Sequence, residues 1–338
     1  MVLIITAVVG INPLRAQSDT VIATVDVAGG PRAIGVNAST NRIYVANYDE
    51  QTVSVIDGST NIVLGSPIPL GKDNAPDALA VNATTNRVYV VTFSIASSDQ
   101  SGGLVSVIDS STNTVLGSPI PVGNFPEGIA VNATTNRIYV ANVNDNTVSV
   151  IDGSTNTVLG SPIPVGDHPT AIAVNPVTNR VYVANLAESR GTMSVIDGST
   201  NTVLGSPIAV GNFPEGIAVN ATTNRVYVVN VLDNAVSVID GSANTVLGSP
   251  IAVGKSAQDN ALEGIAVNAT TNRVYVANGL GSTVTIIDGS TNAVLGSPIP
   301  VGNIPREIAL NPTTNRLYVA NYEDDTVSVI DVSAGTTP

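Results

Sequence analysis

Seven copies of an Asn-Arg-(Ile/Val/Leu)-Tyr-Val motif, with their arginines at Arg42, Arg87, Arg137, Arg180, Arg225, Arg273 and Arg316, constrain this chain more than any other feature. The spacings between them are 45, 50, 43, 45, 48 and 43 residues. Self-similarity at this period, in segments rich in Val, Ile, Thr and Tyr, indicates an array of small β units. Each unit cannot bury its apolar surface without its neighbours. A repeat of this kind overrides the two-domain expectation that 338 residues would otherwise carry.

The third unit shows the internal pattern. Strand A is "GIAVN" (128–132), followed by the turn "ATTN"; strand B is "RIYVAN" (137–142), followed by "VNDN". Strand C is "TVSVID" (147–152), followed by "GSTN", and strand D is "TVLGSPIPV" (157–165). The prolines of strand D fit an outer edge, where a missing N–H faces solvent. Strands A, B and C occur seven times, but D follows C only six times. The missing D pattern lies at the other end, in "TVIATVDVAG" (20–29). These counts predict an all-β, seven-bladed β-propeller of four-stranded antiparallel blades, with the segment 20–29 closing the ring as outer strand of the last blade.

The Tyr-Val-Ala-Asn signature, found in five units, with Tyr227-Val228-Val229-Asn230 in the fifth and Tyr89-Val90-Val91-Thr92 in the second, resembles that of the YVTN family of seven-bladed propellers. The resemblance covers about residues 20 to 331. It implies the propeller fold, in a family of many roles.

Composition excludes several functions. Net charge is −13, and Lys72 and Lys255 are the only lysines. Seven of eleven arginines sit at the repeated position, leaving too few for a phosphate-binding groove, so nucleic acid is not an expected partner. No cysteine is present, which removes disulfides, thiolate metal sites and thiol nucleophiles. Trp is absent and aromatics make up 4%, so the core must be built from Val, Ile, Leu and Ala in thin layers. The apolar run Val2–Ile11, followed by Pro13 and Ala16, reads as the core of an export signal over residues 1–17, with one propeller domain over 18–338. It is too short to span a bilayer. A periplasmic or extracellular monomer is the expectation.

The repeated residues read as scaffold. Counting outward from the B–C loop pairs Arg42 with Asp57, Arg137 with Asp152 and Arg316 with Asp331, cross-strand pairs contributing about 0.2–1 kcal/mol each. The repeated Tyr is expected to pack between blades. Sequons at Asn37, Asn82, Asn132, Asn220 and Asn268 alternate with Pro176 and Pro312 in the equivalent turns of other blades. Their shared property is turn formation rather than glycan acceptance.

Variation is confined to one face. The A–B and C–D turns keep constant length, whereas the B–C loop of blade 2 (92–103) is longer than that of blade 3 by seven residues. The D–A loop entering blade 6 (254–263) is longer by five. Just before strand A, at the mouth of the central channel, stand Arg32, Asp77, Glu127, Thr170, Glu215, Glu263 and Arg306. Ring closure puts Arg306 beside Arg32, forming an anion-seeking side, and leaves an arc of carboxylates that offers oxygens to Ca²⁺ or Mg²⁺ without any dedicated metal loop. His168, the only histidine, lies nearby.

No P-loop, Gly-x-Ser-x-Gly elbow or dinucleotide fingerprint is present, and no cofactor is called for. The leading expectation is an exported, non-enzymatic propeller that binds a protein partner or small polar ligand through its variable face and channel mouth. The first alternative is a propeller enzyme, a lactonase or metal-dependent lyase using Glu127, Glu215 or His168. A structural cell-surface role is the second.

Overall fold

The structure is a computed structural model that describes residues 19–95, 102–187, 190–254 and 262–333. The proposed export signal lies outside these residues. Seven antiparallel sheets follow one another along the chain. Their innermost strands, from Pro31–Asn37 in blade 1 to Pro305–Asn311 in blade 7, contact one another in a closed cycle. The last blade takes its outer strand from the start of the chain: Thr20–Asp26 pairs antiparallel with Thr326–Asp331. The closure anticipated from the strand count is therefore present. No helix among the described residues is long and apolar enough to cross a membrane.

Strand D departs from the single run expected. In blade 3 it consists of two short pieces, Thr157–Val158 and Ile163–Pro164, both paired with Thr147–Asp152. The intervening Leu-Gly-Ser-Pro turns away because Gly160 has φ +62° and Pro162 has no N–H to give the ladder. In blade 6 the same tetrapeptide, with Gly296 also at φ +62°, stays within one strand, Ala293–Pro300, whose pairing shifts register between Val284 and Ile286.

The core lies between blades rather than within them. Seven apolar clusters each draw on two adjacent blades; the one joining blades 1 and 2 contains Tyr44, Val53, Val55, Leu79, Val88 and Ile108. Tyr44, Tyr89, Tyr139, Tyr182, Tyr227, Tyr275 and Tyr318 are all fully buried. This leaves them no face for stacking a sugar or base. The Tyr44 hydroxyl reaches the carbonyl of Ser110 in the next blade at 3.2 Å.

The constant face is held by asparagine. Within each A–B turn the first Asn accepts the N–H two residues on, and in blades 1 to 6 also the one three residues on, as Asn132 does from Thr134 and Thr135. Its amide then donates to the last Asn of the next blade's turn, Asn132 to Asn179 at 2.7 Å. That acceptor takes a left-handed backbone, φ 54° at Asn179, which Asn tolerates. The same bond recurs at every joint, through Asn37–Asn86, Asn82–Asn136, Asn175–Asn224, Asn220–Asn272 and Asn268–Asn315 to Asn311–Asn41. The sequon asparagines have no exposed surface, so the folded ring cannot offer them for glycosylation.

Candidate functional site at the channel mouth

The inner strand of every blade carries a β-bulge at the same place. In blade 1 Pro31 faces Asn47 and Ala33 faces Ala46, leaving Arg32 as the extra residue. Asp77, Glu127, Thr170 and Glu215 are the bulge residues of blades 2 to 5, and the shifts in blades 6 and 7 span Leu262–Ile265 and Pro305–Ile308. The variable position thus lies inside the strand, not before it. A bulge frees one side chain from the pleat and re-aims it. Here it directs that side chain toward the axis.

Their convergence makes a cavity of about 260 Å³ lined by Arg32, Asp77, Glu127, Thr170, Glu215 and Arg306. Glu263 lies in the strand Leu262–Asn268, and its side chain falls outside the described residues. Arg32 Nε meets Asp77 Oδ1 at 2.8 Å. Its guanidinium lies 5.1 Å above the Tyr48 ring, and that of Arg306 lies 5.1 Å above Tyr322. Such stacks contribute from about 0.5–1 kcal/mol when exposed to about 2 when desolvated, and they orient the planar guanidinium fork. Thr170 Oγ1 donates to the Pro214 carbonyl at 2.8 Å, tying blade 4 to blade 5.

A further lining residue, Glu307, was not among the sequence candidates. It occupies the position after the bulge residue, where the other blades have Ala33, Ala78, Gly128, Ala171, Gly216 and Gly264. One large charged side chain in a ring of Ala and Gly was the available signal. Glu307 Oε2 accepts the Ile34 N–H at 3.0 Å, bridging blade 7 to blade 1. Burial, opposed by that N–H and reinforced by Asp77, pushes the carboxyl up to about 8. Glu127 is likewise pushed up to about 8, by burial first, then by Asp77, with Arg32 opposing and Glu215 adding. At neutral pH both are predominantly carboxylic acids and can donate a hydrogen bond.

His168 is not part of this cavity. It is exposed, with φ 49°, and its N–H is held by Asn146 Oδ1 at 2.8 Å. It fills a left-handed loop position occupied by Gly30, Phe125, Phe213 and Ile304 in other blades. Among the described residues no three His, Cys, Asp or Glu side chains group closely enough to hold a metal ion.

The repeated arginines lie away from the mouth. The expected register is present, with Arg42 opposite Asp57, Arg137 opposite Asp152 and Arg316 opposite Asp331. Arg137 binds Asp152 directly, as Arg87 binds Asp109. Arg42 and Arg316 instead donate to the carbonyls of Ser110 and Gly58 in the next blade. Asp57 is engaged by the N–H groups of Ser59 and Thr60, which hold its carboxyl below the usual range. Arg180 and Arg225 also cross to carbonyls of the following blade, Gly241 and Gly289. Arg273 reaches Asp19, next to the closing strand, at 3.0 Å.

Residues 42–337 match the family model described as "Lactonase, 7-bladed beta-propeller". Among solved structures, Kuenenia stuttgartiensis hydrazine synthase is similar, with a TM-score of 0.77 and 20% identity over 90% of this chain and 96% of that one. At that identity the likeness concerns the fold. None of the curated proteins matches significantly.

Proposed function

The chain belongs to the seven-bladed β-propeller lactonase family, and from that premise we propose that it binds a small polar ligand in the channel mouth. The observation that carries this reading is the convergence of bulge residues from successive blades on one cavity, where they differ in chemistry from blade to blade around an otherwise repeated ring. A scaffold needs no such variation. The loops that carry Tyr48 and Tyr322, beside the two arginines of the mouth, add surface for a protein partner, while the longest variable segments, 96–101 and 255–261, lie outside the described residues. The Tyr-Val-Ala-Asn signature supports a YVTN-type repeat within the family, and the apolar run Val2–Ile11 supports export.

Backbone and methyl NMR shifts, followed during titration with a panel of small hydroxy acids, amino acids and lactones, test the reading. Perturbations centred on Arg32, Glu127, Glu215 and Arg306 are expected. Perturbations confined to the outer strands, or none with any member, would overturn it.

A second reading, hydrolysis of a lactone, is favoured by the family match and by Glu127, whose proton is held to about pH 8. Water would add to the ring carbonyl, losing a proton to Glu215 while the guanidiniums face the developing oxyanion. The ring C–O bond would then break as Glu127 protonates the leaving oxygen. A pH-stat assay on γ-butyrolactone distinguishes the two: turnover reduced about 100-fold or more in Glu127→Gln establishes hydrolysis. Ligand binding without turnover leaves the binding role.

A further inference from the structure

The mouth is polar in the electrical sense. Arg306 and Arg32 belong to blades 7 and 1, which adjoin through the inner strands Pro305–Asn311 and Pro31–Asn37. In a ring of seven, the point opposite that joint is blade 4, where Thr170 stands. Glu127 and Glu215, on blades 3 and 5, straddle it. All five residues line the same cavity. The end that carries Arg306 and Arg32, with Asp77 bonded to Arg32 and Glu307 beside Arg306 in the chain, therefore faces the end that carries the Glu127 and Glu215 carboxyl groups across the channel axis.

Both ends are built rather than incidental. Each arginine lies over a tyrosine of its own blade at 5.1 Å, the same arrangement in two neighbouring units. Asp325 Oδ1, on the loop that carries Tyr322, accepts the Gly30 N–H at 2.8 Å, and the Gly30 carbonyl in turn accepts the Tyr48 N–H at 2.7 Å. At the far end, Thr170 donates across the blade 4–5 joint and leaves the two carboxyl groups on either side. A cavity of about 260 Å³ lies below the usual ~300–1,000 Å³ of drug-sized pockets, so the occupant must be small.

We infer that the channel mouth takes a small zwitterion, with its oxyanion toward Arg306 and Arg32 and its ammonium toward Glu127 and Glu215. The inference rests on the ligand-binding reading above and names the ligand class for it. Electrostatic complementarity disfavours ligands carrying only one of the charges, because such a ligand gains a charge interaction at one end of the site only. Burial together with Asp77 and Glu215 makes negative charge at Glu127 unfavourable in the ligand-free mouth, a penalty that an ammonium placed there would offset.

Four matched probes test it by calorimetry on the full chain at pH 7 and low salt: 4-aminobutyrate, 4-hydroxybutyrate, butylamine and γ-butyrolactone. They share a four-carbon frame and carry both charges, the anion alone, the cation alone, or neither. The expected ranking puts 4-aminobutyrate about tenfold or more tighter than each of the others. Glu215→Gln should narrow its advantage over 4-hydroxybutyrate, and Arg306→Ala its advantage over butylamine. Equal or tighter binding of any single-charge or neutral probe overturns the zwitterion inference while the channel-mouth site stands. Binding of none of the four removes both. The ranking on the unaltered chain decides the matter even where a variant fails to fold.

Discussion

Glu127 and Glu307 hold protons that the unfolded chain would release. Their carboxyls titrate near 8 in the ring against an ordinary value of 4.5. Between those two values these two groups bind more protons in the native state than in the unfolded state, so their contribution to stability is fully present below about 4.5 and is lost as pH rises through 8. Glu307→Gln keeps an acceptor for the Ile34 N–H but cannot ionise. Its melting temperature should match the parent near pH 5 and exceed it near pH 8, by on the order of 1–3 kcal/mol in stability. An unchanged difference across that range would show that Glu307 ionises freely. Glu307 is hard to read from the sequence because its position is Ala or Gly in the six other blades and so looks constant. His168 is the converse: its chemistry marks it as a candidate, while its left-handed loop geometry, invisible in the sequence, leaves it exposed and outside the cavity lining.

At the scale of the strand, the bulge and the small residue beside it work together. A Cβ added at Gly128 would lie 2.6 Å from the Thr170 carbonyl oxygen and 3.2 Å from Ala171 Cα, both backbone atoms of the next blade. Neither can rotate aside. Gly128→Ala should therefore push blades 3 and 4 apart and cost about 1–3 kcal/mol, read as a lower denaturant midpoint with unchanged slope. Asn132 offers a second test, since it closes its own turn and donates to Asn179. Asn132→Ala should destabilise by about 1–3 kcal/mol, more than an exposed asparagine would, because it leaves the Thr134 and Thr135 N–H groups and Asn179 without their partner. Strands A, B and C were legible because alternation and β-branched content repeat seven times, and the B–C register followed from loop length. The break in strand D was not, since Leu-Gly-Ser-Pro reads as strand until Gly160 adopts positive φ. Nor did pattern alone tell which arginines would cross to the next blade.

For the molecule as a whole, ring closure depends on the first strand. Removing residues through Asp26 would strip the outer edge from Thr326–Asp331 and delete the Asp19 partner of Arg273. The exposed ladder is then a template for pairing with another chain. Such a variant should unfold at lower temperature with a broadened transition, and should form concentration-dependent aggregates in size-exclusion chromatography. A sharp transition at the parental temperature would show that the other six blades close without it. That contribution was readable in advance from arithmetic alone, seven C strands against six D strands following them.

The asparagine bonds form a circuit with no first or last member, the Asn311–Asn41 joint being the same as the six others. The first and last described strands pair in the outer half of blade 7, so the seam and the bore are at opposite sides of the blade. A wheel whose spokes are laced identically cannot widen at one joint without straining every other. The diameter of the mouth is accordingly fixed by the number of blades, and a ligand must fit the side chains it finds there. Selectivity in such a molecule evolves by exchanging the residue at a bulge, with no change to the wheel that carries it.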